Sequence, residues 1–175
     1  MGILFLVGAR ASGKTTIGKA VAKILGLPFA DTDQRLLESA GRTVDQIVEA
    51  EVWTGFRQRE SLALQEVADA HTGGCVVATG GGMVLAEANR TLMRQRGMVV
   101  FLDAPVHVLA ERLGRNPLAS QRPSLTGKGL VDEIADVLAE RRPLYEAAAH
   151  HTVDASRPLQ SVCRHIADLW NAQAL

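Results

Sequence analysis

The sequence predicts an α/β domain in which a parallel sheet is covered by helices on both faces. Three observations carry this. Short apolar runs rich in β-branched residues alternate with longer stretches of helical period. The runs are apolar throughout rather than alternating with polar residues, which is how strands buried on both faces read. The first run also passes through a glycine-rich turn directly into a helical pattern. At 175 residues the chain suits one domain, spanning 1–175, with a sizeable core.

The elements follow in order. Ile3–Val7 is a five-residue apolar run and reads as the first strand. Met1 is not followed by a basic stretch, and the run is too short to cross a bilayer, so neither a leader nor a membrane span is expected. Lys14–Leu25 has helical spacing, and Phe29–Asp31 is the second strand. Thr43–Ala70 reads as one long helix. Its start carries a capping-box spacing, Thr43 with Gln46, ahead of an apolar face begun by Val44, Ile47 and Val48. Cys75–Ala78 is the third strand. Ala86–Arg96 is helical, with Arg94 and Arg96 in the last turn and Gly97 as its expected C-terminal stop. Val99–Leu102 is the fourth strand and 105–113 the next helix. Leu130–Ala148 is helical, with Asp132 and Glu133 at its start and a kink expected at Pro143. His151–Val153 is the fifth strand, and Leu169 and Trp170 belong to a C-terminal helix.

Composition narrows the function classes. Lysine plus arginine (19) balance aspartate plus glutamate (19), so no general affinity for nucleic acid or membrane is expected. The two cysteines, Cys75 and Cys163, have no metal-ligand spacing around them and read as reduced thiols of a cytoplasmic protein. The stretch from Arg112 to Val131 has no acidic residue but carries Arg112, Arg115, Arg122 and Lys128. It reads as a basic loop suited to polyphosphate.

Chemistry enters with Gly8-Ala9-Arg10-Ala11-Ser12-Gly13-Lys14-Thr15, which fits G-x-x-x-x-G-K-[ST] between a strand and a helix. Backbone N–H groups must converge on phosphate oxygens, and side chains would block that approach. The helix N-terminus adds unpaired donors and partial positive charge. Lys14 is placed to reach β- and γ-phosphates, and the Thr15 hydroxyl to bind Mg²⁺. Arg10 and Ser12 are expected to face solvent.

Three clusters address the phosphate acceptor. Asp31-Thr32-Asp33 ends a strand, where open α/β sheets place their sites. Asp31 can serve Mg²⁺, and Asp33 can accept a proton from an attacking hydroxyl. An Asx turn capping a helix over Gln34–Leu37 explains the same residues equally well. Arg57 and Glu60 stand three apart. They read either as a surface ion pair or as a carboxylate-gripping arginine oriented by a glutamate. Thr79-Gly80-Gly81-Gly82 follows a strand and exposes backbone N–H groups to a ligand.

This order and spacing resembles the shikimate kinase family, and the variant with Val-Ala-Thr-Gly-Gly-Gly and Arg-Pro-Ser-Leu-Thr-Gly looks like its second bacterial isoenzyme type. The resemblance implies a P-loop, nucleoside-monophosphate-kinase-like fold with five parallel strands in the order 2-3-1-4-5. It implies transfer of the ATP γ-phosphate to the 3-hydroxyl of shikimate, with Mg²⁺ as cofactor, on the way to chorismate and the aromatic amino acids. Asp33, Lys14 and Arg122 would be catalytic. Asp33, Arg57, Glu60, Gly80, Gly81, Gly82 and Arg141 would bind shikimate, with the carboxylate on Arg57 and Arg141. Gly8, Ala9, Arg10, Ala11, Ser12, Gly13, Lys14, Thr15, Thr16, Arg112, Arg122, Arg157 and Pro158 would hold the nucleotide, and Thr15 and Asp31 the metal. Residues 32–60 would form the shikimate-binding region and 112–128 a lid, in a monomer.

Ala11 departs from the family, which has glycine there. A positive φ would strain the loop by roughly 1–2 kcal/mol; a negative φ would cost little. His150 and His151 are adjacent on a strand, point to opposite faces and suggest no metal site. Trp53 is expected to brace the pocket or the core, and Tyr145 to anchor its helix. Two other readings compete: another small-molecule P-loop kinase, such as a gluconate or nucleotide kinase, and a nucleotide-sensing module without turnover. A gluconate kinase would lack the FRxxE and TGGG pair, a nucleotide kinase would need a base-recognition pocket that the sequence does not show, and a sensing module would show loss of Asp33 or Arg122.

Overall fold

The computed structural model describes residues 2–115 and 129–173. Five strands, β1 (Ile3–Val7), β2 (Phe29–Asp31), β3 (Cys75–Ala78), β4 (Gly97–Asp103) and β5 (His151–Asp154), form one all-parallel sheet in the order β2-β3-β1-β4-β5. Every residue of β1 is buried. Successive side chains point to opposite faces, so both faces of the centre are covered. The helices are α1 (Lys14–Leu25), α2 (Thr32–Ala40), α3 (Val44–Ala70), α4 (Glu87–Arg96), α5 (Val106–Gly114), α6 (Leu130–Ala148) and α7 (Leu159–Gln173). Helix α1 packs on α7, and α6 on α4 and α5.

The capping box forms as its spacing predicts, with Gln46 N donating to Thr43 Oγ1 and Thr43 N to Gln46 Oε1. Helix α6 runs through Pro143. Three features go beyond the sequence reading. The helix that the capping reading allowed over Gln34–Leu37 is present and longer, as α2, starting directly after Asp31. Helix α3 is broken at Val52, whose φ of 52° and ψ of 179° no helix contains; Arg59 bridges the break with two hydrogen bonds to Glu51, 2.8 and 2.7 Å. Gly97 ends α4 as expected, its N–H donating to the Met93 carbonyl, but it is extended and is also the first residue of β4, with the Ile3 carbonyl where a side chain would stand.

The main core lies around the sheet. A second, smaller one (Leu36, Ile47, Phe56, Ala63) joins α2 to α3, so the region around 32–60 has its own packing. Among the described residues no helix is long and apolar enough to cross a membrane.

Candidate active site

The functional clusters meet at the C-terminal ends of β1, β2 and β3. Strand β1 runs into the phosphate loop, where Gly13 is left-handed (φ 95°) and no side chain caps α1. The first-turn donors of α1 therefore remain available to an anion. Lys14 Nζ folds over the loop, donating to the carbonyls of Gly8 (2.9 Å) and Ala9 (2.7 Å) and approaching Ser12 Oγ (3.4 Å). Ser12 is fully buried and Arg10 half-buried, against the expectation of solvent exposure. The loop wraps back on itself, and Ser12 fills its inside. Ala11 has φ 63°, so the strained alternative holds.

A cavity of about 680 Å³ opens over this loop. Ala11, Gly13, Lys14, Thr15 and Thr16 line it, and Asp31, Asp33, Arg112 and Arg157 face it from other elements. Arg112 donates to the carbonyls of Ala11 (3.4 Å), Ser12 (3.3 Å) and Ala155 (2.7 Å), tying the phosphate loop to the turn after β5. In that turn Asp154 accepts from Ser156 N and Oγ. Pro158 does not line the cavity; its carbonyl accepts from Ser161 N and Val162 N at the start of α7. Gly8 contributes its carbonyl to Lys14 rather than a cavity wall.

The capping reading of Asp31 holds, and it leaves the second carboxylate oxygen for Thr15. Its Oδ1 caps α2, accepting from Asp33 N (3.0 Å) and Gln34 N (3.3 Å), and its Oδ2 accepts from Thr15 Oγ1 (2.8 Å). A hydroxyl and a carboxylate thus touch at the cavity floor, an all-oxygen pair of the kind hard cations take.

A second, tighter cavity of about 100 Å³ adjoins the first. Among the described residues Arg10 and Gly81 line both. Its polar end holds Arg57, Glu60, Arg141 and Tyr145; Trp53, Phe56 and Leu138 are among its apolar walls, and Ala9 and Gly82 complete that end. The Arg57–Glu60 pair is no surface ion pair, since Glu60 is 3% exposed. Arg57 lies 5.2 Å from the Trp53 ring and 5.5 Å from Phe56, which are packed edge to face. Burial pushes the Glu60 carboxyl above its ordinary range, with Arg57 opposing and Asp33 adding to the rise. Arg141 is 9% exposed; its Nη1 donates to the Gly81 carbonyl (3.3 Å), and its buried Nε has no hydrogen-bond partner among the described residues.

The glycines serve close approach. A Cβ on Gly80 would stand 2.5 Å from Asp33 Oδ1 and 2.8 Å from Glu60 Oε1, and one on Gly82 would overlap the Arg57 guanidinium. Gly80 lines neither cavity but seats the two carboxylates side by side. Asp33 faces the larger cavity rather than the smaller one. Arg122 and most of the segment 112–128 expected as a lid lie outside the described residues.

The sequence reading missed Thr32, buried, whose Oγ1 accepts from Gly80 N at 3.1 Å. It also underrated Tyr145, whose hydroxyl donates to the Gly81 carbonyl at 2.6 Å. The i,i+4 spacing of Arg141 and Tyr145 on one helix was the available signal.

A shikimate kinase family model matches residues 10–170. The chain belongs to the shikimate kinase family. It is 55% identical to shikimate kinase 2 of Yersinia enterocolitica over 163 residues, 93% of this chain and 92% of that one. It is equally identical to shikimate kinase 2 of Sodalis glossinidius over 159 residues, 91% and 90% of the two chains. The structure of the shikimate kinase from Acinetobacter baumannii in complex with shikimate superposes with a TM-score of 0.89 at 34% identity, covering 100% of this chain and 96% of that one. A gluconokinase from Sinorhizobium meliloti gives 0.60 at 21% identity over 99% and 95%, and shares the fold alone. The P-loop, nucleoside-monophosphate-kinase-like architecture and its strand order are those the family resemblance implied.

Proposed function

We propose that this single-domain chain, 1–175, transfers the γ-phosphate of ATP to the 3-hydroxyl of shikimate, giving shikimate 3-phosphate and ADP. The observation that carries this is a small cavity ending in two arginines that opens beside a phosphate loop. Shikimate is an anionic triol, and it needs cationic donors at one end and hydroxyl acceptors at the other. Arg57 and Arg141 hold its carboxylate, with Glu60 orienting Arg57 and Gly80, Gly81 and Gly82 allowing the close approach. Asp33 holds the ring hydroxyls and takes the proton from the attacking oxygen.

The nucleotide lies over Gly8–Thr16, with its base between Arg112 and the Arg157–Pro158 segment. Lys14 leaves the loop carbonyls for the β- and γ-phosphates. Thr15 and Asp31 hold Mg²⁺, which supplies charge neutralisation on the phosphate oxygens. Arg122, on the lid 112–128, offsets charge on the transferring group. Residues 32–60 form the acceptor-binding region. The enzyme works as a cytoplasmic monomer supplying chorismate and aromatic amino-acid synthesis.

The test is ADP release from MgATP with shikimate, gluconate or nucleoside monophosphates added in turn. Release with shikimate alone is expected. Release with another acceptor overturns the pocket assignment, and ATP binding without release under any acceptor favours a sensing module.

A further inference from the structure

Tyr145 is fully buried and its ring stacks on Phe101, with centroids 5.0 Å apart and planes 19° from parallel. Its hydroxyl position is therefore set by the sheet core. Burial pushes the phenol up to about 12, so the hydroxyl keeps its proton and donates it to the Gly81 carbonyl at 2.6 Å, while its oxygen can also accept from the adjacent Arg141 guanidinium. That same carbonyl accepts from Arg141 Nη1 at 3.3 Å. Gly81 stands on the boundary of both cavities. A phenylalanine would fill the ring's place in the core without a polar atom to satisfy. The hydroxyl is thus tied to the loop rather than needed by the packing.

We infer that Tyr145 is a positioning residue for acceptor binding: by holding the Gly81 carbonyl, it fixes the Arg141 guanidinium against the small cavity. The long arginine side chain has many rotamers, and a rigid shared acceptor removes that freedom before shikimate arrives. This rests on the reading of Arg141 as a carboxylate-binding group.

The experiment compares Tyr145→Phe, Arg141→Lys and the double variant, measuring KM for shikimate and for ATP and the thermal midpoint. Tyr145→Phe is expected to raise the shikimate KM about fivefold, the effect of one neutral hydrogen bond. The ATP KM stays within about twofold, and the midpoint shifts by no more than about 2–4 °C. In the Arg141→Lys background the Tyr145→Phe effect on the shikimate KM disappears. An equal rise in both KM values, no rise, or full additivity in the double variant overturns the inference while leaving the Arg141 reading standing. An Arg141→Lys variant with an unchanged shikimate KM overturns that reading and this inference with it.

Discussion

Replacing Ala11 by glycine isolates the strain in the phosphate loop. Ala11 has φ 63°, where an L side chain crowds the following carbonyl and costs roughly 1–2 kcal/mol. Glycine removes that cost but regains freedom in the unfolded chain, worth about 0.4–1 kcal/mol. The methyl group is half-buried, so little packing is lost. The net expectation is a gain of about 0.5–1 kcal/mol, or roughly 1–4 °C in the unfolding midpoint of a chain this size. Arg112 donates to the Ala11 carbonyl from within the protein itself, so the strained conformation is expected to be common to the free and bound states and to cancel from ATP affinity. Ala11→Gly should therefore raise the midpoint in ligand-free thermal unfolding, while calorimetric MgATP binding changes by less than about twofold. A lower midpoint would refute the strain argument. A large gain in MgATP affinity would show that the loop adopts the strained conformation only on binding.

Val52→Gly should also stabilise the protein, by about 1 kcal/mol net, because φ 52° with ψ 179° is glycine's territory and the side chain is 64% exposed; a lower denaturant midpoint would exclude strain at the break. Arg57→Ala should weaken shikimate binding by about 10- to 150-fold and spare ATP, the range for a hydrogen bond to a charged group; comparable loss of both affinities, measured by titration calorimetry, would count against the pocket. Glu60 titrates above its ordinary value of 4.5, so the folded state binds its proton more tightly than the unfolded state does. Stability from this group is then lost as pH rises from 4.5 to the raised folded value. Glu60→Gln should flatten that part of a stability-versus-pH curve, and an unchanged slope would remove Glu60 as its cause.

Motifs bound to local backbone geometry were legible in the sequence. A glycine-rich turn between a strand and a helix has few local structures open to it, and the capping box at Thr43 formed as spaced. Asp31 left two readings open because the same carboxylate can cap a helix with one oxygen and meet Thr15 with the other. The full extent of helix α2 was hard to see because it is short and polar, and its few apolar residues pack into a small core shared with α3. The break at Val52 carries no proline or glycine at the position itself and could not be read from periodicity.

The sequence by itself determined the parallel α/β sheet, the phosphate loop and, through the family resemblance, the residues grouped around it. These depend on local propensity, continuous apolar runs and chain-adjacent residues. Only the tertiary structure decided that Glu60 is buried, that Gly80 seats two carboxylates, that Ser12 turns inward and that Tyr145 and Arg141 share one carbonyl. Each of the shared contacts joins residues about 20 to more than 60 positions apart, and such contacts are set by how α2, α3 and α6 pack on the ends of the strands.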